Sequence, residues 1–164
     1  LVLPYESIVI SLYYSMKSYD LTNTHLSLIL PQIGLSIPFS IFWLRASFRA
    51  IPKSLSEAAM IEGASRYTIL TKILIPQMIP AILTLTVLLF MWTWNEFLLA
   101  LIMIQDADMR TAPLALSYFA GNKRYGDPAI TAAAAIWVAL PVLIVYIFLQ
   151  RRFISGMVTG AVKE

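Results

Sequence analysis

Long uncharged runs separated by short polar interludes set the layout of this chain. Residues 1–16 carry one charged side chain, Glu6; residues 26–44 carry none; residues 77–104 carry only Glu96; residues 129–149 carry none. A helix that crosses a bilayer needs about 20 apolar residues. The last three runs meet that length, and the first, slightly short, reads as a truncated span. In hydrocarbon a backbone must satisfy its own N–H and C=O groups, so each run is expected to be helical. The fold class predicted is all-α: a polytopic helical membrane protein with spans at about 1–16, 26–44, 77–104 and 129–149. Pro31 and Pro38 lie inside the second run, where neighbouring helices or hydroxyls can satisfy the freed carbonyls. The third run, at about 1.5 Å per residue, exceeds the hydrocarbon core and should tilt or begin in the interface near Pro80.

The polar interludes carry the local signals. Residues 17–24 form a short turn. Within 45–76, Ser54-Leu55-Ser56-Glu57 reads as a capping box, in which Ser54 and Glu57 satisfy each other's backbone N–H. A small-residue helix follows, with Leu55, Ala58, Ala59 and Glu62 on one face. Gly63 should end it, because glycine takes the left-handed conformation at no steric cost. Ser65 can cap a second helix from near Arg66 towards Ile75. The product is a helix-turn-helix whose first arm is thin enough to enter another protein's groove. Residues 105–127 form a polar loop with a short amphipathic piece around Leu114–Phe119. Arg151 and Arg152 are expected to stop the last span, leaving a tail over 151–164.

Composition supports the membrane reading. Hydrophobic residues make up 59% of the chain and charged residues 13%, against roughly 45–50% and 25% in soluble domains. Mean hydropathy is +0.76. With no cysteine, there is no disulfide framework, thiolate nucleophile or cysteine metal site. The distribution of the basic residues matters more than the net charge of +3. Eight of the twelve, Arg45, Arg49, Lys53, Arg66, Lys72, Arg151, Arg152 and Lys163, fall on the side of the 45–76 hairpin; Lys17, Arg110, Lys123 and Arg124 fall on the other. The positive-inside rule then puts the hairpin and the C-terminus in the cytoplasm.

Glu6 and Glu96 are the candidate intramembrane acids, a class that usually faces a polar pathway or a partner. Trp94 and Asn95, beside Glu96, join Glu6 and Glu96 as translocation-path candidates, able to meet a solute by ring stacking and hydrogen bonding. A structural role is the favoured reading of Glu96. His25, the one histidine, lies at a helix start with no sign of convergent metal or catalytic partners. Trp43, Trp92, Trp94 and Trp137 suit interface belts and packing. No GxxxxGK[ST] loop is present, so the chain should not hydrolyse ATP. The basic residues are scattered, unlike a nucleic-acid surface. No catalytic residue and no metal site is expected. An ion-gradient-driven secondary transporter or channel is the alternative class, although it leaves the hairpin unexplained.

The hairpin residues also carry a resemblance. Glu57-Ala58-Ala59, three residues, Gly63, nine residues, then Ile73-Leu74-Ile75-Pro76 is similar to the EAA loop of ABC importer permeases. Ile75 stands where Leu is usual, and Glu62 where Asp commonly precedes the glycine. Leu44-Arg45, Ile51-Pro52, Trp94-Asn95-Glu96-Phe97, Gln150-Arg151-Arg152-Phe153 and Gly160-Ala161-Val162-Lys163 extend the match. Together they resemble the carbohydrate-uptake permeases of the subunit type similar to maltose permease G, read here as a C-terminal fragment. The resemblance implies that Ser54, Glu57, Ala58, Ala59, Glu62, Gly63, Ala64 and Ser65 dock on a cytoplasmic ATPase. It implies a homologous second permease, a dimer of ATPase subunits that bind the ATP, an external solute-binding protein and a sugar substrate. The chain itself would need no cofactor, and would sit in a bacterial or archaeal cytoplasmic membrane. The 105–127 loop would face the binding protein, and the tail after Arg152 the ATPases.

Overall fold

The computed structural model describes residues 4–121 and 127–161, with side chains described through residue 120 and from 127 to 148. Among the described residues every regular element is helical. A 3-10 turn, Tyr5–Ser7, precedes α1 (Val9–Ser18); α2 spans Leu26–Ala50 and α3 spans Lys53–Ile61. The short α4 (Arg66–Thr68) passes through a π-helical stretch, Ile69–Leu74, into α5 (Ile75–Trp94). Then come α6 (Leu98–Met103), a 3-10 turn at Ala107–Met109, α7 (Ala112–Gly121) and α8 (Pro128–Ala161).

Among the described residues three helices are long and apolar enough to cross a bilayer: Leu26–Ala50, Arg66–Trp94 and Pro128–Phe148. Only 17%, 22% and 0% of their most apolar windows are buried inside the chain. Apolar faces turned outward, such as Trp137 at 75% and Phe148 at 79% exposure, suit hydrocarbon or neighbouring helices rather than water. The chain is a multi-pass helical membrane protein. Its spanning helices are cross-linked by indole groups. The Trp43 Nε1–H donates to the Ala81 carbonyl at 3.0 Å, tying α2 to α5. The Trp94 Nε1–H donates to the Val138 carbonyl at 3.0 Å, tying α5 to α8.

At the end of α2 away from the hairpin, Leu28, Leu99, Ala100, Met103, Ile104 and Leu114 form a buried cluster, with Leu12, Tyr13 and Met16 packed on it. Asn23 closes that end in the left-handed conformation, φ 58°. Its Oδ1 accepts from the Gln105 and Asp106 N–H groups at 2.9 and 3.0 Å. Its Nδ2 donates to the Asp106 carboxylate at 2.7 Å.

Three expected boundaries are corrected. The first run is no single span: a 3-10 turn and a 10-residue helix share it, too short to cross on its own. The third run breaks at Asn95–Phe97 between α5 and α6. The last helix does not stop at Arg151 but continues to Ala161. The piece expected around Leu114–Phe119 of the 105–127 loop is there as ten-residue α7, with Leu114, 1% exposed, in the core. Residues 122–126 of that loop and 162–164 of the tail lie outside the described residues.

Candidate functional site

The hairpin between α2 and α5 starts two residues earlier than a capping box allows. Pro52, with φ −59° and ψ 131°, stands at the N-cap of α3 without a side-chain cap bond. Its carbonyl already accepts from the Leu55 N–H at 3.2 Å. Proline's fixed φ pre-organises that entry, so Ser54 falls inside the helix and the reciprocal Ser54–Glu57 cap does not form. The exit is as expected. Gly63 has φ +81°, its N–H donates to Met60 and the Ala64 N–H to Ala59, both at 3.0 Å. Those two bonds make a Schellman turn. A Cβ at Gly63 would meet nothing within 4 Å, so the backbone conformation alone calls for glycine. The Ser65 Oγ caps α4, accepting from the Thr68 N–H at 3.2 Å.

The second arm does not end near Ile75; it runs on into α5, giving one 29-residue helix from Arg66 to Trp94. Its π stretch has a local cause. Pro76 cannot donate, and in α geometry its ring would clash with the Lys72 carbonyl four residues back. The helix widens instead, and the Ile75 N–H bonds the Leu70 carbonyl five residues back. Thus the turn at Gly63 is covalently and geometrically continuous with a spanning helix.

Burial separates the hairpin residues into two groups. α3 packs on the π stretch, and there Ala59 is 7% and Ile69 5% exposed. Ser54, Glu57, Ala58, Glu62, Gly63 and Ser65 are exposed and Ala64 is half-buried. The apolar tip is absent from the residues expected to dock: Met60, Ile61 and Tyr67 are 53%, 89% and 76% exposed. With Ala59 inward, helical periodicity turns the next two residues outward, and that spacing is a signal the sequence does carry.

A second constellation forms where α5 breaks from α6. The Glu96 Oε1 accepts from the Tyr5 hydroxyl at 2.6 Å and the Leu99 N–H at 2.8 Å; Oε2 accepts from the Ala100 N–H at 3.1 Å. Glu96 thereby satisfies the first turn of α6, as an anionic group at a helix N-terminus should. Beside it lies a cavity of about 490 Å³ lined by Tyr5, Met91, Trp92, Asn95, Glu96 and Phe97. The Asn95 Nδ2 donates to the Met91 carbonyl at 2.7 Å. Of the four pathway candidates, Asn95 and Glu96 line this cavity. Trp94 turns towards α8, and Glu6 is exposed outside the lining. Tyr5, Trp92 and Phe97 join the constellation although sequence spacing did not place them there.

His25 starts α2, its carbonyl accepting from the Leu28 and Ile29 N–H groups at 3.1 and 3.0 Å. Among the described residues no group of three or more His, Cys, Asp or Glu could hold a metal ion.

Comparison with known proteins gives the family. The model described as "binding-protein-dependent transport system inner membrane component" matches residues 1–158. The trehalose transport system permease protein SugB of Mycobacterium tuberculosis is 35% identical over 98% of this chain and 59% of its own length. The diacetylchitobiose uptake system permease protein DasC of Streptomyces coelicolor is 34% identical over 98% and 58%. The arabinooligosaccharides transport system permease protein AraQ of Halalkalibacterium halodurans is 34% identical over 99% and 57%. The chain thus spans somewhat under two thirds of the length of these relatives. With that match running through the hairpin and all three spanning helices, the chain belongs to the family of inner membrane components of binding-protein-dependent transport systems.

Proposed function

We propose that this chain supplies part of the translocation pathway of an ATP-driven sugar importer, and the handle by which a cytoplasmic ATPase moves it. The observation that carries this reading is the hairpin: a Schellman-turned elbow with an exposed apolar tip, continuous with the spanning helix Arg66–Trp94. Work done on the tip reaches the membrane as a rigid-body displacement. Ser54, Glu57, Ala58, Glu62 and Ser65 frame the tip, while Ala59 and Gly63 hold its shape. The excess of basic residues on the hairpin side supports a cytoplasmic hairpin and C-terminus.

The partners are a homologous second permease, two ATPase subunits that bind ATP, and an external solute-binding protein. ATP-driven closure of the ATPases pushes the hairpin and turns the helices outward-facing; sugar from the binding protein enters, and hydrolysis resets the pathway. The sugar class follows from relatives named for trehalose, diacetylchitobiose and arabinooligosaccharide transport. The cavity between α5 and α6 has fitting chemistry. Tyr5, Trp92 and Phe97 offer ring faces to the C–H side of a sugar, and Asn95 and Glu96 offer polar groups to its hydroxyls.

The test is uptake by vesicles containing the full-length protein and its partners. Sugar accumulation that needs both ATP and the binding protein is expected. Accumulation driven by a proton or sodium gradient without nucleotide contradicts the proposal.

A further inference from the structure

The hairpin leaves a cleft between the end of α2, α3 and the start of α5, with a volume of about 1100 Å³. That is just above the range of about 300–1,000 Å³ for drug-sized ligand sites. Ala46, Ala50, Leu55 and Met78 make much of its wall. Three polar groups on the same wall are already spent. The Trp43 Nε1–H is bonded to Ala81, the Ser47 hydroxyl to the Trp43 carbonyl, and the Thr84 hydroxyl to the Pro80 carbonyl. That part of the wall is therefore mainly apolar, with its side-chain donors already bonded.

The remaining polar lining gathers at the hairpin end. Among the described residues Arg49, in the last turn of α2, is the only charged residue of the lining, which also includes Ser54 and Gln77. Arg45 lies one helical turn back on the same helix, and Lys53 opens α3. No carboxylate lines the cleft among the described residues. An apolar slot with a cationic rim, at the membrane end of a span, has the charge and polarity of one class of molecule. Basic pockets between spanning helices on the cytoplasmic side bind anionic lipid headgroups.

We propose that this cleft is a binding site for an anionic phospholipid of the cytoplasmic leaflet. An acyl chain fills the slot between α2 and α5, and the phosphate sits on Arg49 with Ser54 and Gln77 as hydrogen-bond partners. The proposal rests on the cytoplasmic placement of the hairpin, and not on which solute is carried. The lipid would then brace the elbow against the span it drives.

The experiment uses the complete transporter, purified and reconstituted in nanodiscs of phosphatidylcholine with or without phosphatidylglycerol, and read by native mass spectrometry after detergent release. Wild type should retain phosphatidylglycerol in preference to phosphatidylcholine. Arg49→Gln should lower that retention about fivefold, the worth of one basic residue near an anionic surface. Ala50→Trp, which fills the slot without changing charge, should lower it as well, while Lys17→Gln should not. Equal retention in wild type and both cleft variants overturns the proposal. So does capture of a protein segment rather than lipid by a photoreactive group at Ala46. A transporter that fails to take up sugar yet keeps the Arg49-dependent lipid would instead refute the functional reading alone.

Discussion

Glu96 lies where the third apolar run stops being one helix. Its carboxylate takes three donors at once, one of them from Tyr5, 91 positions away. Glutamine keeps one acceptor but turns an N–H group towards a backbone donor. Glu96→Gln is therefore expected to cost about 1.5–3 kcal/mol, the worth of a hydrogen bond to a charged group. Tyr5→Phe, losing one donor, should cost less. Thermal unfolding of the assembled complex checks the order. Unchanged stability with abolished transport would move Glu96 from bracing the helix break to acting on the solute. Signals that act locally are legible in the sequence: Gly63 and Ser65 do their work within three or four positions of themselves. The Tyr5–Glu96 bond is not legible, because nothing near Glu96, neither glycine nor proline, marks the break. Ser54 misleads because Pro52 has already fixed where the helix begins.

Among the elements, the hairpin and α5 behave as one part. Gly63 holds the elbow by its positive φ alone, since the space around it is open. A left-handed conformation costs an ordinary residue roughly 1–2 kcal/mol. Gly63→Val should thus weaken ATPase attachment or uncouple hydrolysis from uptake while the protein still reaches the membrane. Gly63→Asn should restore most of the loss, because asparagine enters this region more readily. Co-purification of the ATPase together with vesicle uptake reads both variants; normal uptake by Gly63→Val contradicts the assigned turn. The π stretch is hidden in the sequence, although its cause, Pro76, is in plain view. Pro76→Ala returns a donor for the Lys72 carbonyl, and Ile69–Leu74 should tighten to an α-helix. A cysteine-accessibility scan over those positions should then shift to a period of about 3.6 residues. An unchanged pattern would show that tertiary packing, not Pro76, maintains the wider turn. α8 runs past Arg151 and Arg152 to Ala161, since a basic pair does not itself break a helix.

At the scale of the whole molecule, hydropathy foretells the class and three of the helices, because hydrocarbon imposes one simple rule on every residue it touches. Packing between helices is less legible. Trp43 and Trp94 read as interface-belt or packing residues, but the partners of their indoles, backbone carbonyls that link α2, α5 and α8, are not legible. Likewise Ala59, one of the expected docking residues, is enclosed by the hairpin's own second arm, and the exposed tip is Ile61 with Met60 and Tyr67. That division makes the central claim directly measurable, since the chain has no native cysteine. Ile61→Cys and Ala59→Cys are each placed in the full-length protein and crosslinked within the assembled transporter. The account predicts that Ile61→Cys captures the nucleotide-hydrolysing subunit and Ala59→Cys does not. An assembled, active transporter in which neither Ile61→Cys nor Met60→Cys ever reaches that subunit would contradict it.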